Sequence, residues 1–195
     1  MFFLFVDREY PNFYPKLYSM MVPDMLHVKY RARFFFWSDV FLSSSHLPSY
    51  LIASFVKRLS RLALTAPLDA LLIILPFIQN LLIRHPNLKS MCDNTSSLTV
   101  ASDPFDNYEE DLTKTRALES SLWEVKSLQT HWDERVIKAA LFINKPLPIK
   151  ETDLSELLEL NLEELSEESF ESIDKSEGDI LVNQKSSRRL KEIFF

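Results

Sequence analysis

The 195-residue chain contains one glycine, Gly178, and one cysteine, Cys92. Glycine supplies the close backbone approach in phosphate-cradling loops, dinucleotide fingerprints and nucleophile elbows, so its scarcity excludes all three. The Asn-Gly and Asp-Gly turns that favour tight β-hairpins are missing as well. A lone cysteine rules out an internal disulfide and a cysteine-based zinc cluster. The four histidines (His27, His46, His85 and His131) stand at no helical ligand spacing, so neither metal nor cofactor is expected. The opening "MFFLFVDREY" lacks a basic leading region and a small-residue cleavage site, and so does not read as a secretory signal.

What remains is helix-forming. Hydrophobic residues make up 46% of the chain, enough for a packed core, and ten prolines punctuate it. Charge is divided unevenly: residues 1–100 carry ten Lys/Arg against six Asp/Glu, while residues 101–195 carry twelve against twenty-two. Between Glu151 and Asp179 twelve acids face only Lys175, and a short basic patch, "KSSRRLK", follows at Lys185–Lys191. A body with cationic faces and a solvated acidic tail fits that division.

Periodicity places the helices. Pro15 opens "PKLYSMM", and Pro23 precedes a segment in which Leu26, Tyr30, Phe34, Trp37 and Phe41 recur at three- and four-residue intervals. Those five are the predicted buried stripe, with Arg31 and Arg33 off it. After Pro48, the residues Leu51, Ile52, Phe55, Val56, Leu59, Leu62 and Ala63 form a second stripe. At about 100° per residue it covers an arc of roughly 140°, and Lys57, Arg58 and Arg61 fall opposite as a basic outward face. "LDALLIILPFIQNLLIR" is apolar nearly all round and predicts a central core helix, kinked at Pro76 and ended by Pro86. It is shorter than the ~20 apolar residues of a membrane span, and Asp69, Gln79 and Asn80 interrupt it.

Residues 87–111 read as a polar connector ending in "DPFDNYEED". Asp103 and Asp106 suit turn and cap positions there; a calcium loop would need a glycine and a distal Glu. Helices are expected over 116–131, with Leu118, Leu122, Val125 and Leu128 inward, and over 133–144, with Val136, Ile137, Ala140 and Leu141 inward. "TDLSELLELNLEEL" predicts one more, capped by Thr152 or Asp153, and disorder is expected from Ser166 onward.

Four readings compete for "SSSHLPSYLIASFVKRLSRLALTAP": a catalytic pair, a nucleic-acid grip, a membrane segment and a scaffold helix. Ser43 or Ser45 with His46 and Asp39 has no glycine amides for an oxyanion hole and reads as an interhelical turn. The cations Lys57, Arg58 and Arg61, with Arg31, Arg33 and Arg84, are the candidate residues for facing a partner or RNA. A solvated helix face is the plain alternative.

These blocks, together with "DREYPNFYPKLYSM", "HVKYRARFF" and "DPFDNYEEDLTKTRALESSLWEVKSLQTHWDERVIKAA", resemble the CCAAT-binding-factor domain family over roughly Phe3 to Ile143. Leu112 stands where that family usually has proline, and the acidic stretch after Thr152 departs from its pattern. With the acidic composition after Thr152, the resemblance implies an all-α fold of antiparallel helix pairs stacked as an irregular HEAT-like α-solenoid, with a disordered acidic C-terminal tail. It divides the chain into a helical domain over 1–150, N-terminally truncated and with a polar loop at 87–112, and an acidic helix and tail over 151–195. It further implies a non-catalytic scaffold of the small-subunit processome, needed for pre-rRNA processing and small ribosomal subunit assembly. The location is then the nucleus and nucleolus, with a nucleolar protein partner there and pre-ribosomal RNA as a candidate contact, direct or indirect. The interaction surfaces are expected on the basic helix and on the "ALESSLWEV" helix. The alternatives are a transcription-associated DNA-binding helical domain and a nuclear-membrane-associated protein.

Overall fold

A computed structural model of the chain describes residues 12–27, 31–93, 103–155 and 157–158. One compact unit runs through Leu157, and it is all-α among the described residues. Its helices are α1 (Phe13–Ser19), α2 (Arg31–Leu42), α3 (Ser49–Ala63), α4 (Leu68–Arg84), α5 (Ser90–Asp93), α6 (Trp123–Ser127) and α7 (Glu134–Ala140), with short 3-10 turns between them. Only α3 and α4 are long, at 15 and 17 residues, and the two pack against each other. A regular series of equal helix pairs is not visible among the described residues.

Pro48, Pro67 and Pro86 act where the sequence puts them, whereas α1 begins at Phe13, two residues ahead of Pro15. Pro48, at φ −59°, stands immediately before α3, and Pro67 stands immediately before α4. The residue before a proline is pushed out of the helical region, which closes α3 ahead of Ala66–Pro67. Between α2 and α3 the Ser–His stretch is a turn: the Ser43 hydroxyl donates to the Val40 carbonyl at 2.7 Å, and Ser45 and His46 carry the reversal. α4 continues across Pro76 and ends at Arg84, ahead of Pro86.

The core is the α3–α4 seam. Ile52, Phe55, Val56 and Leu59 on one side meet Leu71, Ile74, Phe77, Ile78 and Leu81 on the other, all nearly inaccessible to solvent. Each such side chain removed from water stabilises the fold by about 1.5–3 kcal/mol. Phe35 of α2 lies edge-on to Phe77, with ring centroids 5.3 Å apart, and Tyr18 of α1 lies likewise against Phe55 at 5.4 Å. All seven residues of the predicted α3 stripe are buried.

Three expectations are corrected. In the α2 region the buried residues are Phe35, Ser38 and Leu42, while Trp37 is 49% exposed and Phe34 and Phe41 are half-buried. This helix is apolar on nearly every side, so periodicity alone does not choose its inner face. Contacts with α4 choose it: Phe35 on Phe77, Arg31 on Asp69 of α4, and Asp39 on Arg84. The expected polar connector contains buried apolar residues. Pro86–Asp93 forms helical turns burying Leu88 and Met91, and 103–115 folds onto α3 through Phe105 and Leu112. The helix expected over 116–131 is broken at Ser120–Leu122, which is not helical. Its cause is electrostatic and is described below.

The last expected helix begins as its capping residue predicts. Asp153 accepts the Ser155 amide at 2.9 Å, and the preceding strip is tied to α4. The Asn80 side chain both donates to the Thr152 carbonyl and accepts its amide, at 2.8 and 2.9 Å. The expected disordered tail and the basic patch at Lys185–Lys191 lie outside the described residues.

Candidate functional site

The six cations chosen from the sequence do not form one outward face. On α3, Ser54, Lys57 and Arg61 recur at i, i+3 and i+7, which lines them along one side of the helix. That side is covered by the segment from Asp103 to Glu124. At the first level of the seam the Ser54 and Thr115 hydroxyl oxygens are 2.7 Å apart, with the Leu112 carbonyl 3.3 Å from Ser54.

One turn on, the Lys57 side chain is completely buried. Its Nζ lies 2.6 and 2.9 Å from the two Glu124 carboxylate oxygens, 2.7 Å from Asp103 Oδ2 and 2.6 Å from the Ser121 carbonyl oxygen. The Trp123 and Phe105 rings flank the ammonium at 5.6 and 5.9 Å. Arg61 closes the outer end. Its Nη2 donates to Asp103 Oδ2 at 2.8 Å, its Nε sits 2.7 Å from Glu124 Oε1, and its guanidinium lies 4.8 Å from the Trp123 ring centroid. Its side chain is 20% exposed, against none for either carboxylate. Two cations thus neutralise two acids inside the unit, with hydrogen bonds satisfying most remaining valences, which is the condition under which buried charge is tolerated.

Asp103 gathers the segment around itself. It accepts from the Phe105 amide at 3.1 Å, from the Trp123 indole N–H at 2.9 Å and from the Ser120 hydroxyl. The expected Asx turn is therefore present, and the same carboxylate is a buried counterion. The demands of Lys57 for the Ser121 carbonyl and of Asp103 for the Ser120 hydroxyl explain why 120–122 leaves the helical path. The Leu122 amide, freed by that departure, donates to the Met91 carbonyl at 3.0 Å.

The two acids are perturbed in opposite directions. Burial pushes Asp103 up, but hydrogen bonds from Lys57, Ser120 and Trp123 outweigh it and hold the carboxyl at about 2. For Glu124 burial wins over the attraction of Lys57 and Arg61, and its carboxyl rises above the ordinary range. A lowered folded value means that stability from Asp103 is complete above its unfolded value near 3.8 and is lost as pH falls towards 2. A raised folded value means that the Glu124 penalty is relieved as pH falls through that value. Urea midpoints are therefore expected to be highest in weak acid, and to drop by an amount equivalent to about 2 kcal/mol between pH 5 and pH 2. Midpoints still rising at pH 3 would contradict the assignment.

The other cations are also engaged, Arg33 excepted. Arg58 donates to the Met21 carbonyl at 3.0 Å and lies 4.4 Å from the Tyr18 ring centroid, tying α3 to the α1 end. Arg31 binds the Leu26 carbonyl at 3.1 Å and Asp69. Arg84 forks between Glu151, at 2.9 and 2.5 Å, and Asp39, at 2.8 and 3.3 Å. These hydrogen bonds overcome burial and raise its already high pKa, and they lower that of Glu151. Arg33 alone among the six is exposed.

The outward basic face is thus corrected for Lys57. The basic helix and the "ALESSLWEV" block, the two elements expected to carry the interaction surfaces, bind each other. Glu124 and Asp103 are the partners the sequence reading missed. Their signal was present as one acid in the connector and one in the expected 116–131 helix, but nothing local pairs them with α3. Among the described residues no group of three or more His, Cys, Asp or Glu is placed to hold a metal. No single described helix is long and apolar enough to cross a membrane.

Comparison with known proteins gives this architecture its relatives. The chain is 50% identical over 194 residues to nucleolar complex protein 4 homolog of Danio rerio, covering 97% of the chain and 37% of that protein. It is 53% identical over 161 residues to the Homo sapiens protein of that name, covering 83% and 31%. An uncharacterised Caenorhabditis elegans protein is 52% identical over 139 residues, covering 71% and 28%. The chain thus spans about a third of the length of the curated relatives it matches. This relationship gives it a nuclear, nucleolar location. The CBF/Mak21 family model matches residues 1–140, from the segment before α1 through α7 and with it both halves of the buried charge seam, and the chain belongs to the CBF/Mak21 family.

Proposed function

We propose that the chain is a non-catalytic scaffold region of ribosome biogenesis, acting in the small-subunit processome through a nucleolar protein partner. The observation that carries the reading is its identity of about one half, over most of its length, to proteins named nucleolar complex protein 4 homolog. The geometry supports a scaffold. The unit devotes two buried ion pairs and a fork at Arg84 to holding its own segments together. Cations spent on internal carboxylates are not available to release counterions from RNA phosphates. Contact with pre-ribosomal RNA then runs through the partner or through other surfaces. Of the six cations, Arg33 is the one that faces a partner; the remaining five set the fold.

The test is affinity purification of the full-length protein from nuclear extract, wild type and Arg33→Glu. Small-subunit precursors and one stoichiometric protein are expected to co-purify. Arg33→Glu should weaken that association while changing stability by less than about 0.5 kcal/mol, as exposed substitutions do. Recovery of large-subunit precursors or of chromatin in their place would refute the reading.

A further inference from the structure

A groove of about 530 Å³ opens between α1, the start of α3 and the 110–113 turn, at a place the charge seam does not use. Its floor is Leu51 and Leu112, both buried, and its walls are Pro15, Pro48 and the Tyr50 ring, itself 40% exposed. Glu110 stands exposed on the rim. Asp111 also lines the groove, but its carboxylate is already engaged by Lys114 at 3.0 Å and by the Thr113 amide and hydroxyl. The neighbouring Glu109 carboxylate accepts the Asp111 amide. Lys16, next to Pro15, does not line the groove.

We propose that this groove docks an extended, proline-containing segment of a partner protein, with a lysine or arginine of that segment over Glu110. Two properties select this occupant. Proline and tyrosine residues lining one groove suit a polyproline-type chain, whose ordering cost is already low, as in aromatic-lined peptide grooves. The acidic rim then decides the charge of the occupant. Glu109, Glu110 and Asp111 oppose Lys114 alone across this turn, so the field attracts a cation and repels nucleic-acid phosphate. Tyr50 is the anchor: it projects from the first turn of α3, where Pro48 fixes the entry of the chain. This site is independent of the nucleolar reading, because its test needs only purified protein.

The experiment is fluorescence anisotropy of the full 195-residue chain with a labelled proline-rich peptide bearing one central arginine, and with the same peptide bearing glutamate there. The arginine peptide should bind more tightly than the glutamate peptide. Tyr50→Ala is expected to weaken it about tenfold and Glu110→Lys at least about threefold. Trp37→Ala, exposed elsewhere on α2, should leave it unchanged. Equal affinity for the two peptides, indifference to Tyr50→Ala, or no binding across a panel of arginine- and lysine-bearing proline-rich peptides would each overturn the proposal. Displacement of the peptide by a single-stranded RNA through Tyr50 would overturn it too. Binding that appears only when residues 1–11 are removed would overturn it in favour of the chain's own N-terminal segment.

Discussion

Replacing Lys57 with methionine is expected to cost about 3–5 kcal/mol of folding stability, measured by urea unfolding at pH 7. Methionine matches the lysine stem in bulk, so packing changes little. What changes is charge: Asp103 and Glu124, both fully buried, keep only Arg61 between them. An uncompensated buried carboxylate then has to be protonated or hydrated, and either costs free energy. The double variant Lys57→Met with Glu124→Leu removes the unpaired charge and leaves the Asp103–Arg61 pair in place. It is expected to be more stable than the single variant by about 2 kcal/mol, because a buried pair exchanged for apolar groups often costs little. A pH signature separates this from simple loss of packing. In Lys57→Met the carboxyl of Glu124 loses its main counterion and rises further. The folded state then binds more protons than the unfolded state, and stability increases as pH falls from 7 to 5. A single variant no worse than Lys138→Met, whose lysine is 68% exposed, would show that the seam carries no such load.

The same arithmetic governs charge reversal. Glutamate at 57 and 61 would place four carboxylates around one buried point, a cost that reaches the 5–15 kcal/mol total stability of an ordinary domain. Loss of particle binding in such a variant would report unfolding and say nothing of an RNA-facing surface. Arg33→Glu is the clean probe because its side chain is exposed.

The contrast between Lys57 and Leu59 shows what was legible in the sequence. Leu59 repeats at helical spacing with six other apolar residues, and all seven are buried as the pattern predicts. That inference needs only local geometry. Lys57 occupies the opposite side of the same helix, where a lysine ordinarily meets water. Its burial depends on Asp103 and Glu124, which lie 46 and 67 residues away in sequence and carry no pairwise mark. The long α3 and α4 were legible for the reason Leu59 was, whereas the break at Ser120–Leu122 follows from long-range bonds and was not. α2 failed differently: with apolar residues on almost every side, period alone could not say whether Phe34 or Phe35 faces α4. Glycine scarcity, in turn, foretold the all-α class because it removes turns that sheets depend on. The acidic composition that starts at Glu151 hid the role of that first member as a ligand of Arg84.

Arg84→Met is expected to cost about 2–3 kcal/mol and to open the 151–155 strip ahead of the rest of the unit. The guanidinium is 14% exposed and gives charge-assisted hydrogen bonds to two carboxylates, each ordinarily contributing about 1.5–3 kcal/mol. Asp39 and Glu151 are 27% and 38% exposed, so water recovers much of that contribution and the sum must be discounted. Two effects follow from the geometry. α2 loses one of its two ionic ties to α4, and Arg31 with Asp69 remains as the other. Among the described residues the strip from Glu151 then keeps Asn80, whose amide pairs with both backbone groups of Thr152, and the buried Leu154 side chain. Hydrogen exchange should therefore show the Thr152 and Ser155 amides losing protection first, while the amides of Ile74 and Ile78 follow the global stability. Combining Arg84→Met with Asn80→Ala should release the Thr152 backbone further, with the buried Leu154 as the remaining apolar hold on the strip. Exchange at Thr152 that tracks the core in the double variant would mean that the strip is held by something other than these two residues.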